Sequence, residues 1–376
     1  MPRRIAIDAR KLHDYGIGTY VRNLVLGLAR HDFGDNYVLF CRDADADWIR
    51  ALGPRFEPVV ERAGNYSVLE QFSVPLALSK ARVDLYHAPH YVVSPLVTTP
   101  FIVTIHDCIH LRFPKDLPNR AAHAYARTMM GLSAKRSKRV LTVSRASKDD
   151  IVHYLHVPPD KVEVIYNALD EDLVAPPTDV EIERVRERFQ LTSPFILYTG
   201  NIKPHKNVDR LIEAYSILRR SGAADVKLLI IGDAISKYPN LRRLVHRFQL
   251  HQQVRFLGFV PEATLAVLYK LASVFVFPSR YEGFGLPPLE AMAAGVPVVT
   301  SNVSSLPEVV GDAALLIDPM DAGAIAEAMG RVLRDPALAA DLVRRGHERV
   351  KVFSWDRSVE RINAVYHELI GAPANA

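Results

Sequence analysis

Short runs of apolar residues recur along the whole chain and predict thirteen β-strands. Several runs are continuously apolar rather than alternating, which is typical of strands buried on both faces of a parallel sheet. Seven runs fall in the first half, at residues 5–8, 37–41, 56–60, 83–87, 101–106, 139–143 and 162–166. Six fall in the second half, at residues 195–199, 227–231, 254–257, 274–277, 296–300 and 314–317.

Amphipathic segments lie between these runs and predict helices. The clearest are residues 18–30, 120–137, 208–220, 238–248 and 322–333. Alternation of strand and helix predicts the α/β class with doubly wound parallel sheets. Seven strands followed by six predict two Rossmann-like domains that face a central cleft, with ligands beyond the carboxyl ends of the strands.

The segment 171–194 has the composition of a linker. It holds a Pro-Pro pair at 176–177, a charged helix at 181–190 and a Ser-Pro step at 193–194, and such features favour a domain boundary. We therefore place an N-terminal domain at 1–170 and a C-terminal domain at 195–355. An amphipathic helix at 356–371 is expected to join the first domain.

Composition excludes several classes of protein. Of 376 residues, 49% are hydrophobic and 24% are charged, which is ordinary for a globular protein and excludes disordered, collagen-like and coiled-coil chains. Only Cys41 and Cys108 are cysteines, so a disulfide framework is excluded and a reducing compartment is expected. The sequence has neither a signal-peptide pattern nor a transmembrane pattern, which predicts a cytoplasmic location.

The net charge of +5 lies in the first half of the chain. Residues 1–170 hold 23 Lys and Arg against 18 Asp and Glu, and the remainder is balanced. The densest cluster is Lys135, Arg136, Lys138 and Arg139, and it lacks the interleaved aromatic residues typical of single-stranded nucleic-acid sites. Three interpretations stay open: a solvated helix face, a site for an acceptor phosphate, or peripheral contact with an anionic membrane.

The most informative loop follows the strand at 274–277 and reads PSRYEGFGLPPLE. Gly283 and Gly285 flank Phe284, so the backbone can approach a ligand closely. Pro287 and Pro288 suit the first turn of a helix, where a missing N–H has little cost. Backbone N–H groups leading into a helix start favour a phosphorylated or polyhydroxylated ligand.

Two carboxylates belong to this loop and helix. Glu282 lies in the loop and Glu290 lies two helical turns later, so they are not expected to act as a hydrolytic pair on one bond. Two separate hydroxyl-binding roles fit better. The alternative is a glutamate favoured by the helix dipole together with a surface glutamate.

The sequence of this region resembles that of glycosyltransferase family 4, whose members have the GT-B fold and retain anomeric configuration. The motifs that carry the resemblance are EGFGLPPLE, AMAAGVPVVTS and LPEVVGDAALLIDP, and the likeness spans almost the whole chain. Three further motifs, DARKLHDYGIGTY, VTIHDCIHLRFP and TGNIKPHKNVDRLIEAY, resemble bacterial mannosyltransferases of polysaccharide and O-antigen assembly.

The resemblance implies a donor site in the second half. The matching loop residues are Glu282, Gly283, Phe284, Gly285, Leu286 and Glu290. Glu282 would bind donor-sugar hydroxyls, Glu290 the ribose, and the backbone between them the sugar and phosphate oxygens. Val260, in a stretch that would contact the nucleobase, equally fits an ordinary strand-to-helix turn.

The resemblance also implies that Lys206 neutralises the donor diphosphate. Lys206 precedes Asn207, which we predict caps the next helix, so a cation and a helix start would face one anion. Asn201 stands where the family often has an arginine. His205 or Lys203 is expected to supply the missing charge.

In the first half, the resemblance implies three further site residues. Gly16 and Gly18 would approach the diphosphate or the acceptor, and His106 would lie near the reacting sugar. With Glu282 and Lys206, His106 completes the candidate catalytic set. The alternative for His106 is a hydrogen-bonded structural histidine at a strand end.

No metal and no cofactor are expected. Asp43, Asp45 and Asp47 mimic an Asp-x-Asp metal motif, but capping of the following helix explains them. The residues around His106, namely Asp107, Cys108, His110, His87 and His90, lack regular zinc-ligand spacing. P-loop, GxSxG and GxGxxG signatures do not occur, which disfavours kinases, hydrolases and dehydrogenases.

Together these features predict a metal-independent retaining glycosyltransferase of polysaccharide or glycolipid biosynthesis. The expected donor is a nucleotide-diphosphate sugar, GDP-mannose being the best match, and the acceptor is a lipid-linked or oligosaccharide hydroxyl. Nucleic acid is not an expected partner. The alternatives are a nucleotide-sugar-binding protein without turnover, which Asn201 favours, and an epimerase or phosphorylase of the same fold.

Overall fold

A computed structural model describes residues 2–14, 16–170, 177–222 and 225–371. The chain divides into two compact units. The first comprises Met1–Asn167 and Ser354–Ala376, and the second comprises Ala168–Phe353. We describe each unit in turn.

The described residues form thirteen strands, and each predicted apolar run corresponds to one of them. They are β1 (Arg4–Asp8), β2 (Asn36–Cys41), β3 (Phe56–Val60), β4 (Leu85–Ala88), β5 (Phe101–Thr104), β6 (Arg139–Thr142), β7 (Val162–Val164), β8 (Phe195–Thr199), β9 (Lys227–Ile231), β10 (Val254–Gly258), β11 (Val274–Phe277), β12 (Val298–Ser301) and β13 (Ala314–Ile317).

The helices of the described residues alternate with these strands. They are α1 (Ile17–Arg30), α2 (Ala46–Ala51), α3 (Glu70–Ala81), α4 (Ile109–Arg112), α5 (Arg120–Arg136), α6 (Arg145–Leu155), α7 (Asp179–Phe189), α8 (Val208–Arg220), α9 (Pro239–Arg247), α10 (Glu262–Leu271), α11 (Leu286–Ala293), α12 (Leu306–Val310), α13 (Ala322–Arg334), α14 (Pro336–Val350) and α15 (Trp355–Ile370). None of them is long and apolar enough to cross a membrane.

The first unit contains a seven-stranded parallel sheet in the order β3-β2-β1-β4-β5-β6-β7. The order reverses at β1, so the segments after β1 and β4 emerge side by side at the carboxyl edge of the sheet. Helix α15 packs on α1, where a side chain at Gly27 would lie 2.5 Å from Val359. Ser358 also donates a 2.7 Å hydrogen bond to the carbonyl of Tyr166. These contacts place the C-terminal helix in the first unit.

The second unit contains a six-stranded parallel sheet in the order β10-β9-β8-β11-β12-β13. Its central strands β8 and β11 are buried along their whole length, which explains why both read as unbroken apolar runs. These two strands pair in parallel, and the order reverses between them. The loops after β8 and β11 therefore meet at one edge of the sheet.

The boundary between the units lies slightly earlier than the sequence placed it. The division falls after Asn167 and after Phe353, rather than after residues 170 and 355. Helix α7, which we assigned to the linker, lies in the second unit, where Arg255 of β10 donates a hydrogen bond to the carbonyl of Phe189. Residues 171–176 of the predicted linker lie outside the described part of the chain.

Candidate functional site

Lys206 and Glu282 form an ion pair at the carboxyl edge of the second sheet. Lys206 ends a 3₁₀ turn, Pro204–Lys206, in the loop after β8, and Glu282 lies in the loop after β11. The Lys206 ammonium donates to both carboxylate oxygens of Glu282, at 2.7 and 2.8 Å. The two side chains are only 14% and 11% exposed. Two residues that the sequence assigned to one donor site are therefore in direct contact.

Three serines shape the loop that carries Glu282, and the sequence analysis missed all of them. Ser279 donates to the Glu282 carboxylate. Ser304 donates to the Glu282 carbonyl at 2.7 Å, and Ser305 donates to the carbonyl of Phe284 at 2.7 Å. The available signal was the serine-rich stretch SNVSS at the end of β12. Because both loop carbonyls are fixed, the backbone around Glu282 is held before a ligand arrives.

The start of α11 presents backbone donors next to this loop. Gly285 has φ 106°, and a side chain there would lie 2.7 Å from Leu306, so only glycine fits. Pro287 and Pro288 occupy the first turn as predicted but carry no N–H. Gly285 and Leu286 are therefore the donors that this helix start offers to an anion.

Phe284 is anchored in the core rather than turned to a ligand. Its side chain is buried, and its ring packs edge-on against Phe353 at 5.5 Å. Neighbouring Gly283 is partly buried. The sequence assigned a backbone role to this stretch, and the burial of Phe284 leaves its backbone as the part that a ligand can contact.

Asn207 does not cap α8 with its side chain, so that prediction is wrong. Asn207 has φ 63°, and its amide donates instead to the carbonyls of Pro278 at 3.0 Å and Pro319 at 2.6 Å. It thereby ties the segment after β8 to the segments after β11 and β13. The left-handed backbone, which asparagine tolerates better than most residues, makes this alternative use possible.

Arg280 is a further cation beside Lys206. Its guanidinium donates to the Pro204 carbonyl at 3.0 Å, and its backbone N–H donates to the His205 carbonyl at 2.7 Å. His205 is buried, whereas Lys203 is exposed. Of the basic residues near the turn, Arg280 is the one that the sequence analysis missed.

Asn201, at the position where the family often has arginine, follows β8. Its carbonyl accepts a 3.2 Å hydrogen bond from Tyr198. Its side-chain oxygen is buried without a hydrogen-bond partner among the described residues. A buried acceptor without a donor is costly, so this oxygen suits a ligand hydroxyl or N–H.

Glu290, on α11, has hydrogen-bond partners that differ from those of Glu282. Tyr269 donates to its carboxylate at 2.7 Å, and the Tyr269 hydroxyl lies 2.8 Å from that of Thr199. Burial raises the pKa of Glu290, and the hydrogen bond from Tyr269 partly offsets that effect. Glu282 and Glu290 thus have separate hydrogen-bond partners, as two separate binding roles require.

Val260 offers a ligand its backbone only. Strand β10 ends at Gly258 with φ 69°, and the register with β9 shifts between Phe256 and Gly258. Val260 is 7% exposed, whereas Phe259 is 76% exposed. The projecting side chain of this stretch is therefore that of Phe259.

In the first unit, His106 follows β5 and is held by two contacts. Its Nε2 donates to the carbonyl of Pro89 at 3.1 Å, and the ring of Tyr20 lies edge-on at 4.9 Å. Burial lowers the pKa of His106, against the opposing effect of the Pro89 hydrogen bond. The side chain is therefore a neutral imidazole whose Nδ1 is an acceptor.

The two glycines at the start of α1 differ in their constraints, since Gly16 is the N-cap residue and Gly18 lies in the first turn. Gly16 has φ 69°, and the space around its α-carbon is open. A side chain at Gly18 would lie 2.4 Å from the Leu12 carbonyl oxygen, so close packing alone requires glycine there. Gly16 is the one whose setting leaves room for a ligand.

Asp43, Asp45 and Asp47 have separate partners. Asp43 lies 3.3 Å from Arg62 and Asp45 lies 2.7 Å from His13, while Asp47 pairs with Arg50. The capping explanation is wrong, because the helix starts at this point have no side-chain cap hydrogen bond. Contacts with the basic side chains of Arg62, His13 and Arg50 account for these carboxylates instead.

Two chemical features of the described residues bear on the earlier alternatives. The described residues contain no group of three or more His, Cys, Asp or Glu side chains placed to hold a metal ion. Cys41 and Cys108 are both buried and form no disulfide, and burial raises the pKa of each. A raised thiol pKa disfavours the reactive thiolate.

Two family descriptions match the chain. Residues 15–173 match glycosyltransferase family 4, and residues 179–349 match glycosyl transferases group 1. Among curated proteins, O-antigen chain mannosyltransferase B of Escherichia coli is 35% identical over 312 residues, which are 82% of this chain and 81% of that protein. O-antigen chain mannosyltransferase RfbU of Salmonella typhimurium is 26% identical over 368 residues, 95% of this chain and 97% of that protein.

The fold is also similar to a solved glycosyltransferase structure. Sucrose-phosphate synthase from Thermosynechococcus elongatus aligns with a TM-score of 0.78 and 23% identity, covering 98% of this chain and 99% of that one. The chain therefore belongs to glycosyltransferase family 4 and has the GT-B fold. The family that the motifs indicated is confirmed.

We expect the ionisation of Glu290 to destabilise the fold in a pH-dependent way. A carboxyl whose pKa is raised by folding opposes folding above the folded-state pKa, and this effect disappears below the unfolded value. Glu290→Gln cannot ionise and can still accept from Tyr269. Its melting temperature should exceed that of the wild type at pH 8, and the difference should vanish near pH 4.

Calorimetry of both proteins across this pH range measures the effect. Glu327→Gln, an exposed glutamate on α13, is the matched control and should show no such trend. An equal difference between Glu290→Gln and wild type at both pH values would contradict the assignment.

Proposed function

We propose that this glycosyltransferase moves mannose from GDP-mannose to a saccharide hydroxyl with retention of configuration. The acceptor would be a growing polysaccharide or a lipid-linked saccharide. Two observations support mannose: both curated relatives described above are O-antigen chain mannosyltransferases. The observation that carries the site assignment is the Lys206–Glu282 pair at the carboxyl edge of the second sheet.

The donor diphosphate would bind where the cations and backbone donors meet. Lys206 and Arg280 lie on one 3₁₀ turn and its neighbouring loop, and Gly285 and Leu286 begin α11. As the diphosphate approaches, it competes with Glu282 for the Lys206 ammonium. The Glu282 carboxylate is then available to accept hydrogen bonds from sugar hydroxyls, while Glu290 accepts from the ribose.

The same cations would stabilise the departing nucleotide diphosphate without a metal ion. Negative charge grows on the leaving phosphate oxygen in the transition state, and groups already positioned at that oxygen lower the barrier most. Lys206, Arg280 and the start of α11 supply positive charge and N–H donors from the chain itself. No cofactor is needed for this chemistry.

Retention without a protein nucleophile requires attack from the face that the diphosphate leaves. The acceptor oxygen would then form its bond to the anomeric carbon while the leaving phosphate oxygen takes the acceptor proton. In this scheme His106 is not the base. Its neutral Nδ1 is able to accept a hydrogen bond from a substrate hydroxyl.

The donor prediction is tested by thermal shift and by transfer. GDP should raise the melting temperature more than UDP or ADP at equal concentration, since a ligand at 100 times its Kd stabilises by about 2.7 kcal/mol. GDP-mannose should support transfer, and the rate should persist in EDTA. Tighter binding of UDP, or loss in EDTA restored by manganese, would contradict the proposal.

We also propose peripheral contact with an anionic membrane through the first unit. Helix α3 and its N-cap residue Leu69 present an apolar outward face. Leu69, Phe72 and Leu76 form this face and are 63%, 59% and 57% exposed. Their spacing places them on one side of the helix. Val74 and Leu78 on the opposite side are buried in the core. An apolar stripe that the unit itself leaves exposed is typical of an interaction surface.

The apolar surface continues beyond α3. Leu96 is 52% exposed and lies in a loop tied to both flanking helices. Ser94 donates to the Gln71 carbonyl of α3 at 2.6 Å, and Ser133 of α5 accepts from the Val93 N–H at 3.3 Å. We call Leu69, Phe72, Leu76 and Leu96 the apolar face.

The surroundings of the apolar face are positively charged. Residues 117–148 contain eight Lys and Arg and no acidic residue. The predicted contact cluster needs refinement, because Arg136 donates to the carbonyls of Pro95 and Val97 and Arg139 pairs with Glu163. Lys135 and Lys138 are exposed and remain the candidates for lipid phosphate.

Vesicle binding tests the membrane proposal. Wild type should pellet with phosphatidylglycerol vesicles at low salt and not with phosphatidylcholine vesicles. Lys135→Gln with Lys138→Gln should weaken binding about 30-fold, since each basic residue contributes about 1 kcal/mol near an anionic surface. Phe72→Ser with Leu76→Ser should weaken binding at all salt concentrations, because the apolar term is not screened.

The matched control is Val180→Ser, an equally exposed apolar side chain on α7 of the second unit. Its binding should equal that of the wild type. Absence of pelleting by the wild type would remove the membrane proposal and favour an acceptor in free solution.

A further inference from the structure

A second group of polar and aromatic side chains meets at the carboxyl edge of the first sheet. Arg10 and Lys11 follow β1, and His90 and Tyr91 follow β4, its neighbour in the sheet. Tyr66 reaches the same place from the loop between β3 and α3. We call Lys11, Tyr66, His90 and Tyr91 the aromatic cluster. The sequence analysis considered His90 only as a zinc ligand and did not single out the other three residues.

Tyr66 is held at the centre of the aromatic cluster. Its hydroxyl oxygen lies 2.9 Å from His90 Nε2 and 3.2 Å from Lys11 Nζ. The Val92 N–H donates to His90 Nδ1 at 3.2 Å. His90 therefore carries its proton on Nε2 and donates it to Tyr66.

The ring of Tyr66 is nonetheless half exposed. Its relative exposure is 50%, and Lys11 Nζ lies 4.8 Å from the ring centroid. The ring of Tyr91 stacks on that of His90 at 4.4 Å with 30° between planes. A fixed aromatic face can stack on the C–H face of an uncharged ligand, and neighbouring polar groups can bond to the hydroxyls of that ligand.

The backbone at Tyr66 is strained. Its φ of 64° is rare for a bulky residue and costs of order 1–3 kcal/mol. The rest of the loop is fixed from the other side, because Arg42 donates to the carbonyls of Glu61 and Ala63 and to the Asn65 side chain. A strained residue in a firmly anchored loop is common where a side chain must be presented to a ligand.

The charges near the aromatic cluster select against an anion. Arg10 bonds both oxygens of Asp8, at 2.8 and 2.6 Å, and also Glu70 at 3.1 Å. Lys11 bonds Asp14 at 2.9 Å. Three carboxylates thus face two cations, and burial lowers the pKa of His90 well below its ordinary value, so the imidazole adds no charge. The local charge is therefore net negative, which disfavours a phosphate.

We propose that Tyr66, Tyr91 and Lys11 bind an uncharged pyranoside, the terminal sugar of the acceptor, and that His90 holds the Tyr66 hydroxyl in place. The sugar's C–H face would stack on the exposed face of Tyr66, and its hydroxyls would bond to the Tyr66 and Tyr91 hydroxyls and to Lys11. The acceptor role rests on the proposed function, whereas the binding site itself does not. A lipid phosphate or diphosphate of a lipid-linked acceptor binds elsewhere.

Saturation-transfer NMR with methyl α-glycosides of mannose, glucose, galactose, N-acetylglucosamine and rhamnose tests the site without a donor. At least one glycoside should receive saturation from the wild-type protein. Tyr66→Asn removes the ring but keeps a residue that tolerates positive φ, and Tyr91→Asn removes the second ring. Each should weaken that glycoside at least tenfold.

Two further variants separate binding from mere pinning of the loop. Tyr66→Phe loses the bonds to His90 and Lys11 but keeps the stacking face, so it should bind the glycoside more tightly than Tyr66→Asn. If Tyr66 only pins the loop through its hydroxyl, Phe and Asn variants should fail equally. Val180→Asn is the exposed control and should bind as the wild type does.

Several results would overturn the proposal. They are absence of saturation transfer for every glycoside, undiminished binding by Tyr66→Asn, equal failure of Tyr66→Phe and Tyr66→Asn, and displacement of the glycoside by equimolar inorganic phosphate. GDP binding, measured in parallel by melting temperature, reports on the donor assignment. If the wild-type protein binds a glycoside but not GDP, the proposed function is contradicted and the sugar site is still supported.

Discussion

The contact between Lys206 and Glu282 is the constraint around which the second unit is organised. Both charges are largely removed from water, and such a pair is stable only when each member is fully hydrogen-bonded. That requirement fixes the loops after β8 and β11 against each other. Ser279 positions the carboxylate, and Asn207 ties the two loops together through the Pro278 carbonyl. In the proposed function, a donor that replaces this pairing with its own charges meets loops that are already held in position.

The two units share one sheet architecture but differ in the charge at the carboxyl edge of the sheet. Each sheet reverses its strand order at the centre and collects its functional side chains where two neighbouring strands end. In the second unit, Lys206 and Arg280 give this edge the positive charge that a diphosphate requires. In the first unit, the cations beside Tyr66 are balanced by Asp8, Asp14 and Glu70. Charge thus distinguishes the edge proposed for the donor from the edge proposed for a neutral sugar.

The strands and the donor loop were predictable because local sequence determines them. A strand buried on both faces must be apolar throughout, as in β8 and β11. The motif from Glu282 to Glu290 combines glycines, prolines and a helix start whose geometry is local. The sequence and the family resemblance assigned Lys206 and Glu282 to one donor site, but the ion pair between them was not predicted.

The rest of the site depends on contacts between segments that are distant in sequence. Asn207 is a residue type that often caps helices, and it directly precedes one. Two carbonyls from other loops nevertheless accept hydrogen bonds from its amide. Ser304 and Ser305 become important only because their segment lies against Glu282. The aromatic cluster of the first unit combines residues from the segments that follow β1, β3 and β4. Such partners are set by tertiary packing, which a residue's local pattern does not encode.

Calorimetric titration of GDP and GDP-mannose into variants of the central ion pair tests this account most directly. Lys206→Ala should weaken both ligands at least tenfold, because it removes the charge that binds the diphosphate. Glu282→Gln should weaken GDP-mannose while leaving GDP unchanged or tighter, because it removes the sugar contact and frees Lys206. Lys270→Ala, at an exposed lysine on α10, is the control for net charge and should bind both ligands nearly as the wild type does. Wild-type affinity in Lys206→Ala, or equal weakening of GDP and GDP-mannose in Glu282→Gln, would contradict it.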